Sequence, residues 1–122
     1  MKYVETSEGW QADELIADTA FPIRIENISV SSTATLTRGD LICAGSLSGI
    51  FAPVSSAADA NKILMIAAND FVADSLNTIA QAYSSGCFSR EKISFGGASL
   101  TTEPFEQELR RQNIHLRRLQ EI

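Results

Sequence analysis

Residues 63–68, Ile-Leu-Met-Ile-Ala-Ala, form an unbroken apolar run, and no other feature constrains the fold of this chain as tightly. The run is far too short to cross a bilayer, which takes about 20 residues. It lacks the polar alternation of a half-solvated strand and the 3.6 period of a surface helix. A short run of this kind reads as a strand buried on both faces. A second strand-like run, Ile79-Ala-Gln-Ala-Tyr83, follows and meets Ser84-Ser85-Gly86. Gly supplies a positive φ at turns, so a tight turn is expected there. Cys87-Phe-Ser-Arg90 then leads the chain back out, with Ile93 and Phe95 alternating about Ser94. The expectation is a meander of buried strands with no catalytic side chain in it.

The flanking segments extend this β reading. Phe21, Ile23 and Ile25 alternate with Pro22, Arg24 and Glu26, which predicts a half-buried strand that starts at an edge. Residues 30–36, rich in Ser and Thr, suit a further strand or an extended link. Arg38-Gly39-Asp40 spells an adhesion tripeptide. Its simpler reading is a turn, with Gly39 at the bend and Asp40 bonding local amides before a strand begins at Leu41. Residues 41–45 and 50–54 are two apolar runs joined by Ser and Gly, which reads as a hairpin. A small-residue loop with one helical turn is expected over 55–61. Residues 69–77 read as a loop with room for a turn of helix around Phe71, Val72 and Leu76. Near the C-terminus, Glu103, Glu106 and Glu108 precede Arg110 and Arg111, the charge order that complements a helix dipole, and Pro104 is tolerated in the first turn. Phe105 and Leu109 share one face of that helix, and Asn113 is a suitable stop. Residues 114–119 then read as a last strand, or as more helix. The strand reading is preferred. The fold class expected is mainly β: a small β-barrel or sandwich-like domain with one short C-terminal helix.

Charge divides the chain. The first 20 residues hold Glu5, Glu8, Asp13, Glu14 and Asp18 against Lys2, in a protein of net charge −5. The organisation expected is an acidic N-terminal arm over 1–20 and a single β-rich domain over 21–122. The arm reads either as a frayed end or as a segment that orders on a partner, with Trp10 as an aromatic anchor. The acidic balance argues against direct nucleic-acid binding. No membrane association is expected, because no apolar run reaches spanning length. No signal peptide is evident, and Cys43 and Cys87 read as buried reduced thiols. Synthesis and solubility in a cytoplasm are therefore expected.

Chemistry is thinly represented. His115 stands alone, between basic neighbours, and reads as a solvated surface residue. No metal-ligand spacing, phosphate loop or nucleophile elbow is present. Asp70 and Asp74 read as solvated loop acids. Neither an enzyme nor a cofactor is expected, since catalytic sites need convergent groups.

One resemblance runs through the same residues. Residues 63–70, Ile-Leu-Met-Ile-Ala-Ala-Asn-Asp, are followed by Tyr83-Ser-Ser-Gly-Cys-Phe88-Ser-Arg-Glu-Lys-Ile93. That order resembles the head decoration proteins of tailed bacteriophages, the family of lambda protein D. Residues 39–42 and 49–54 match its earlier strands, so the likeness spans about half the chain. The resemblance implies a homotrimer at local threefold positions of the expanded head, cementing major capsid subunits against internal DNA pressure. It implies location on the outer surface of a virion, after synthesis in a bacterial cytoplasm. It carries no catalytic residues. The acidic arm would be the capsid-binding segment, with Tyr3, Val4 and Trp10 as candidate contacts. Another phage part (a head fibre or a tail component) and a small β-barrel binding module are the alternatives.

Overall fold

The computed structural model describes residues 15–18, 21–45, 49–95 and 100–117. The strands are β1 (Ile16–Asp18), β2 (Arg24–Val30), β3 (Thr35–Leu36), β4 (Leu41–Ala44), β5 (Ile50–Pro53), β6 (Ile63–Ala67), β7 (Phe71–Val72), β8 (Ile79–Ser89) and β9 (Ile114–Arg117). Ala57–Asn61 forms a 3₁₀ turn. The C-terminal helix has nine residues, a 3₁₀ turn at Glu103–Phe105 running into α1 (Glu106–Arg111).

Five strands close into a mixed barrel in the order β8, β2, β5, β4, β6 and back to β8. Only the β2–β5 contact is parallel within this ring. The seam is made by β6 and β8, where Ile66 pairs with Tyr83 and Ala67 with Ala82. Closure removes the unpaired edges that an open sheet would present. β3 and β7 form a separate ribbon, and Leu36, Ala34 and Ala73 from it join the inner core.

β6 is buried on both faces, as its run of apolar residues requires. Met65 and Ala67 pack with Ile28, Val30, Ile42, Phe51 and Ala82, a cluster fed by every strand of the ring and hence the barrel interior. Leu64, Ile66 and Ala68 pack outward with Leu41, Phe88, Phe105, Leu109 and Ile114. The helix, β1 and β9 thus cover one outer flank of the barrel. Phe105 and Leu109 are fully buried on the shared face of the helix. Burying side chains of this size gives about 1.5–3 kcal/mol each.

The expected hairpin of β4 and β5, the turn at 57–61, the C-terminal helix and the strand after it are all present. Asn113 adopts φ 68°, the left-handed helix stop. Three expectations are corrected. First, Ser84-Ser85-Gly86 makes no reversal. β8 runs unbroken through it, with Gly86 at φ +143°. Residues before Gly86 pair with β2, and residues from Gly86 on pair in parallel with β9 and antiparallel with β1. The glycine's freedom lets one strand leave the barrel and serve a second sheet. A Cβ there would lie 2.8 Å from the Phe88 ring. Second, Phe71 and Val72 form strand, not helix, because the Thr35–Leu36 segment offers them a ladder. Third, the phase of β2 is set by Ile28 and Val30, which face inward, so Ile25 is 53% exposed. A register shift between Arg24 and Ile25 separates Phe21 and Ile23 from the ladder beyond it.

The β1 strand lies inside the stretch assigned to the acidic arm. Leu15 is 1% exposed, and its carbonyl accepts the Ser89 amide at 2.7 Å.

Candidate functional site

Several buried polar groups are held by backbone and by one another. The Arg38 amide donates to Asp70 Oδ1 at 2.8 Å, and Nη1 donates to the Ala68 carbonyl at 2.8 Å and the Tyr83 hydroxyl at 2.7 Å. Asp40, 3% exposed, accepts the Thr37 amide at 2.9 Å and the Ser94 hydroxyl. Both charged groups of the Arg38-Gly39-Asp40 tripeptide are therefore engaged within the protein, as a turn requires. Asp59 accepts the amides of Ser55 at 3.0 Å and Ser56 at 3.3 Å and pairs with Lys62 at 3.0 Å. The Ser55 amide, followed by Lys62, holds the Asp59 carboxyl below its usual range. Burial, reinforced by the charge of Asp59, pushes the Cys43 thiol up, away from the reactive thiolate. Among the described residues, no three of His, Cys, Asp and Glu converge as a metal site needs. No described helix is long and apolar enough to cross a membrane.

The surface is more informative. Ser29 in β2 pairs with Ile50 of β5 on one side and Ile79 of β8 on the other. Ile50 is 65% exposed and Ile79 57%. Adjacent strands lie about 4.8 Å apart, so the two isoleucines flank Ser29 in one row on the outer face of the barrel. Along the same face stand Ile25, Asn27, Ala52 and Gln81, all exposed and none charged. The row continues into a shallow cleft of Phe71, Val72, Leu76, Asn77, Thr78 and Ile79, with Leu76 90% exposed. Nearby Asp74 is turned onto its own loop, accepting the amides of Leu76 and Asn77 at 2.8 Å each. The Leu76 amide is the main cause that holds its carboxyl low. This flank, opposite to the one covered by α1, mixes exposed apolar side chains with neutral polar ones, and none of the residues named on it is charged. Such depletion of charge marks the centre of protein contacts.

A second feature lies where β8 leaves the barrel. Phe21, Pro22, Arg24, Ser85, Asn113 and His115 line a cleft of about 250 Å³. His115 is not solvated as expected. It is half-buried, with its ring centroid 4.8 Å from that of Phe21, and Arg117 packs over the same phenyl ring at 5.2 Å. Parallel pairing of β9 with β8 brings these C-terminal residues to Phe21.

Tyr3, Val4 and Trp10 lie outside the described residues. Neither surface was visible in the sequence. Ile50 and Ile79 are brought together only by strand register, and His115 meets Phe21 only through β8. No protein-family model matches this chain. A comparison with curated proteins likewise returns no match.

Proposed function

We propose that this protein is a capsid decoration protein, a cement that binds expanded phage heads at local threefold positions and stabilises them against internal DNA pressure. One observation carries the reading. The two stretches most like the lambda protein D family, residues 62–70 and 83–93, fold onto β6 and β8, and these are the strands whose pairing closes the barrel. The likeness therefore falls on the structural seam of the domain and not on scattered loops.

The protein acts as a homotrimer in this reading, with copies meeting through the uncharged face of Ile50, Ile79 and Leu76. A chain of net charge −5 repels its own kind, and contact through a charge-free flank avoids that repulsion. The acidic arm, with Tyr3, Val4 and Trp10, engages the major capsid protein. Three arms on one trimer raise the effective concentration, a gain of order 10²–10⁴ in avidity. Preference for the expanded shell requires differential affinity for its two states, and binding then stabilises the favoured one by mass action.

The test is co-sedimentation with the cognate heads, unexpanded and expanded, with bound copies counted. Saturable binding to expanded heads alone, three copies per local threefold, is expected. Binding to neither kind of head defeats the reading. A few copies confined to tails or fibres would instead favour a different virion part, and no particle association a binding module.

A further inference from the structure

We infer that the cleft between Phe21 and His115 is a binding site for an acidic peptide segment, one that offers a carboxylate beside an apolar side chain. It lies apart from the uncharged face, and the inference stands whether or not the protein decorates a capsid.

Three observations converge on that ligand. The cleft has an apolar floor, made by the Phe21 ring and Pro22. Its volume of about 250 Å³ is below the usual size of a drug-like pocket and fits one or two side chains. Its rim carries the cation of Arg24 in a protein of net charge −5. His115 forms one wall with a ring that can hydrogen-bond, and Arg117 stacks over the phenyl ring behind. Arg24 is exposed, and no described residue takes a hydrogen bond or ion pair from it. A guanidinium in that position is ready for bidentate binding of a carboxylate.

Hydrogen bonds hold the polar groups around the cleft among the described residues. The Glu26 carboxylate, two residues from Arg24, accepts the Ser84 hydroxyl at 3.0 Å. The Ser85 hydroxyl donates to the Pro22 carbonyl at 2.9 Å and braces the floor. The Asn113 carbonyl accepts the Gly86 amide at 3.1 Å, which fixes the far wall. The Asn113 side-chain amide remains on the cleft as a further donor or acceptor. Arg24, Ser85 and His115 stand on β2, β8 and β9, three strands of one hydrogen-bonded sheet system, while Phe21, Pro22 and Asn113 come from the residues just before two of them, so the sheet holds much of the cleft in place.

The experiment is an amide NMR titration of the full chain with two capped peptides, Trp-Glu-Glu-Glu and Trp-Lys-Lys-Lys. Saturable shifts at Arg24, Ser85, Asn113 and His115 with the acidic peptide alone are expected. Arg24→Glu, at an exposed position that leaves the fold intact, should weaken that binding about tenfold or more, the scale of one charge-assisted pair. His115→Ala should weaken it less. No saturable shift with the acidic peptide, equal shifts with the lysine peptide, or unchanged affinity in Arg24→Glu would each overturn the assignment. Displacement of the peptide by inorganic phosphate at equal concentration would also overturn it, because the site would then bind simple anions.

Discussion

Arg90 grips Glu106 through two hydrogen bonds, Nε to Oε2 at 2.7 Å and Nη2 to Oε1 at 3.1 Å, and the same guanidinium reaches the Leu116 carbonyl at 3.1 Å. The end of β8, the start of α1 and the body of β9 are thereby joined at one point. Thr102 adds its hydroxyl to the same carboxylate at 2.6 Å. Burial alone would raise the Glu106 carboxyl. Arg90 and Thr102, with the charge of Arg110, outweigh it and hold the group below its ordinary value.

This pair makes stability depend on acid. The folded carboxyl titrates lower than the unfolded one, so the unfolded chain binds more protons in the interval between them. The stabilisation is complete above the ordinary carboxylate range, near pH 4.3, and is lost as pH falls through the folded value. Glu106→Gln should lower stability by about 1–3 kcal/mol at neutral pH. It should also flatten the acid limb of the curve. Urea midpoints measured from about pH 3 to pH 7 check both effects.

Gly39 should tolerate no side chain. It sits at φ +99°, and an added Cβ would lie 2.7 Å from the Lys92 carbonyl oxygen, a backbone atom. Gly39→Ala is expected to cost about 1–3 kcal/mol or more. Gly45, with nothing within 4 Å of such a Cβ, is the control, and its alanine variant should stay within about 0.5 kcal/mol of the parent. Thermal unfolding of the two variants decides it.

The arm can be removed in two ways with different results. Deleting residues 1–14 leaves Leu15 and β1 in the chain, so the barrel should still fold while capsid binding is lost. Deleting 1–20 also strips a fully buried leucine and its bond to Ser89, at a cost of about 2–5 kcal/mol. Normal capsid binding by the shorter deletion would remove the arm from the mechanism.

Ile79→Glu and Ile50→Glu place a charge on the uncharged face without touching the core. Each should fold within about 0.5 kcal/mol of the parent. Analytical ultracentrifugation should find the parent associated and both variants monomeric. A monomeric parent, or variants that associate equally well, would rule out this face as the contact between copies.

What the sequence disclosed follows from where physics is local. β6 was legible because a strand wedged between two cores has apolar residues at every position. The helix was legible from the order of its charges, and its end from Asn113. β8 was misread at Ser84-Ser85-Gly86 because turn-forming residues also bend a strand, and the distinction lies in which partners arrive on either side. The β3–β7 ribbon was missed because Phe71 and Val72 owe their strand to Thr35 and Leu36, far away in the chain. The phase of β2 went the same way. Ile25 and Ile28 are equally apolar, and only barrel closure chooses between them. The two surface features depend wholly on such distant pairings, so neither the isoleucine row nor the cleft at Phe21 had a local signature.

The length of β8 has a consequence for how the molecule is made. β1, β2 and β6 all wait for it, and its far end waits in turn for β9. On a translating ribosome, the first half of the barrel stays unsealed until Ser89 has emerged, and the outer flank until Arg117 follows. Domains ruled by such distant pairings reach the native state in roughly milliseconds to seconds. The segment most in need of cover, residues 63–68, therefore finds its partner only 12 or more residues later in the chain, and its two faces are sealed in separate steps, by β8 and then by the helix and β9.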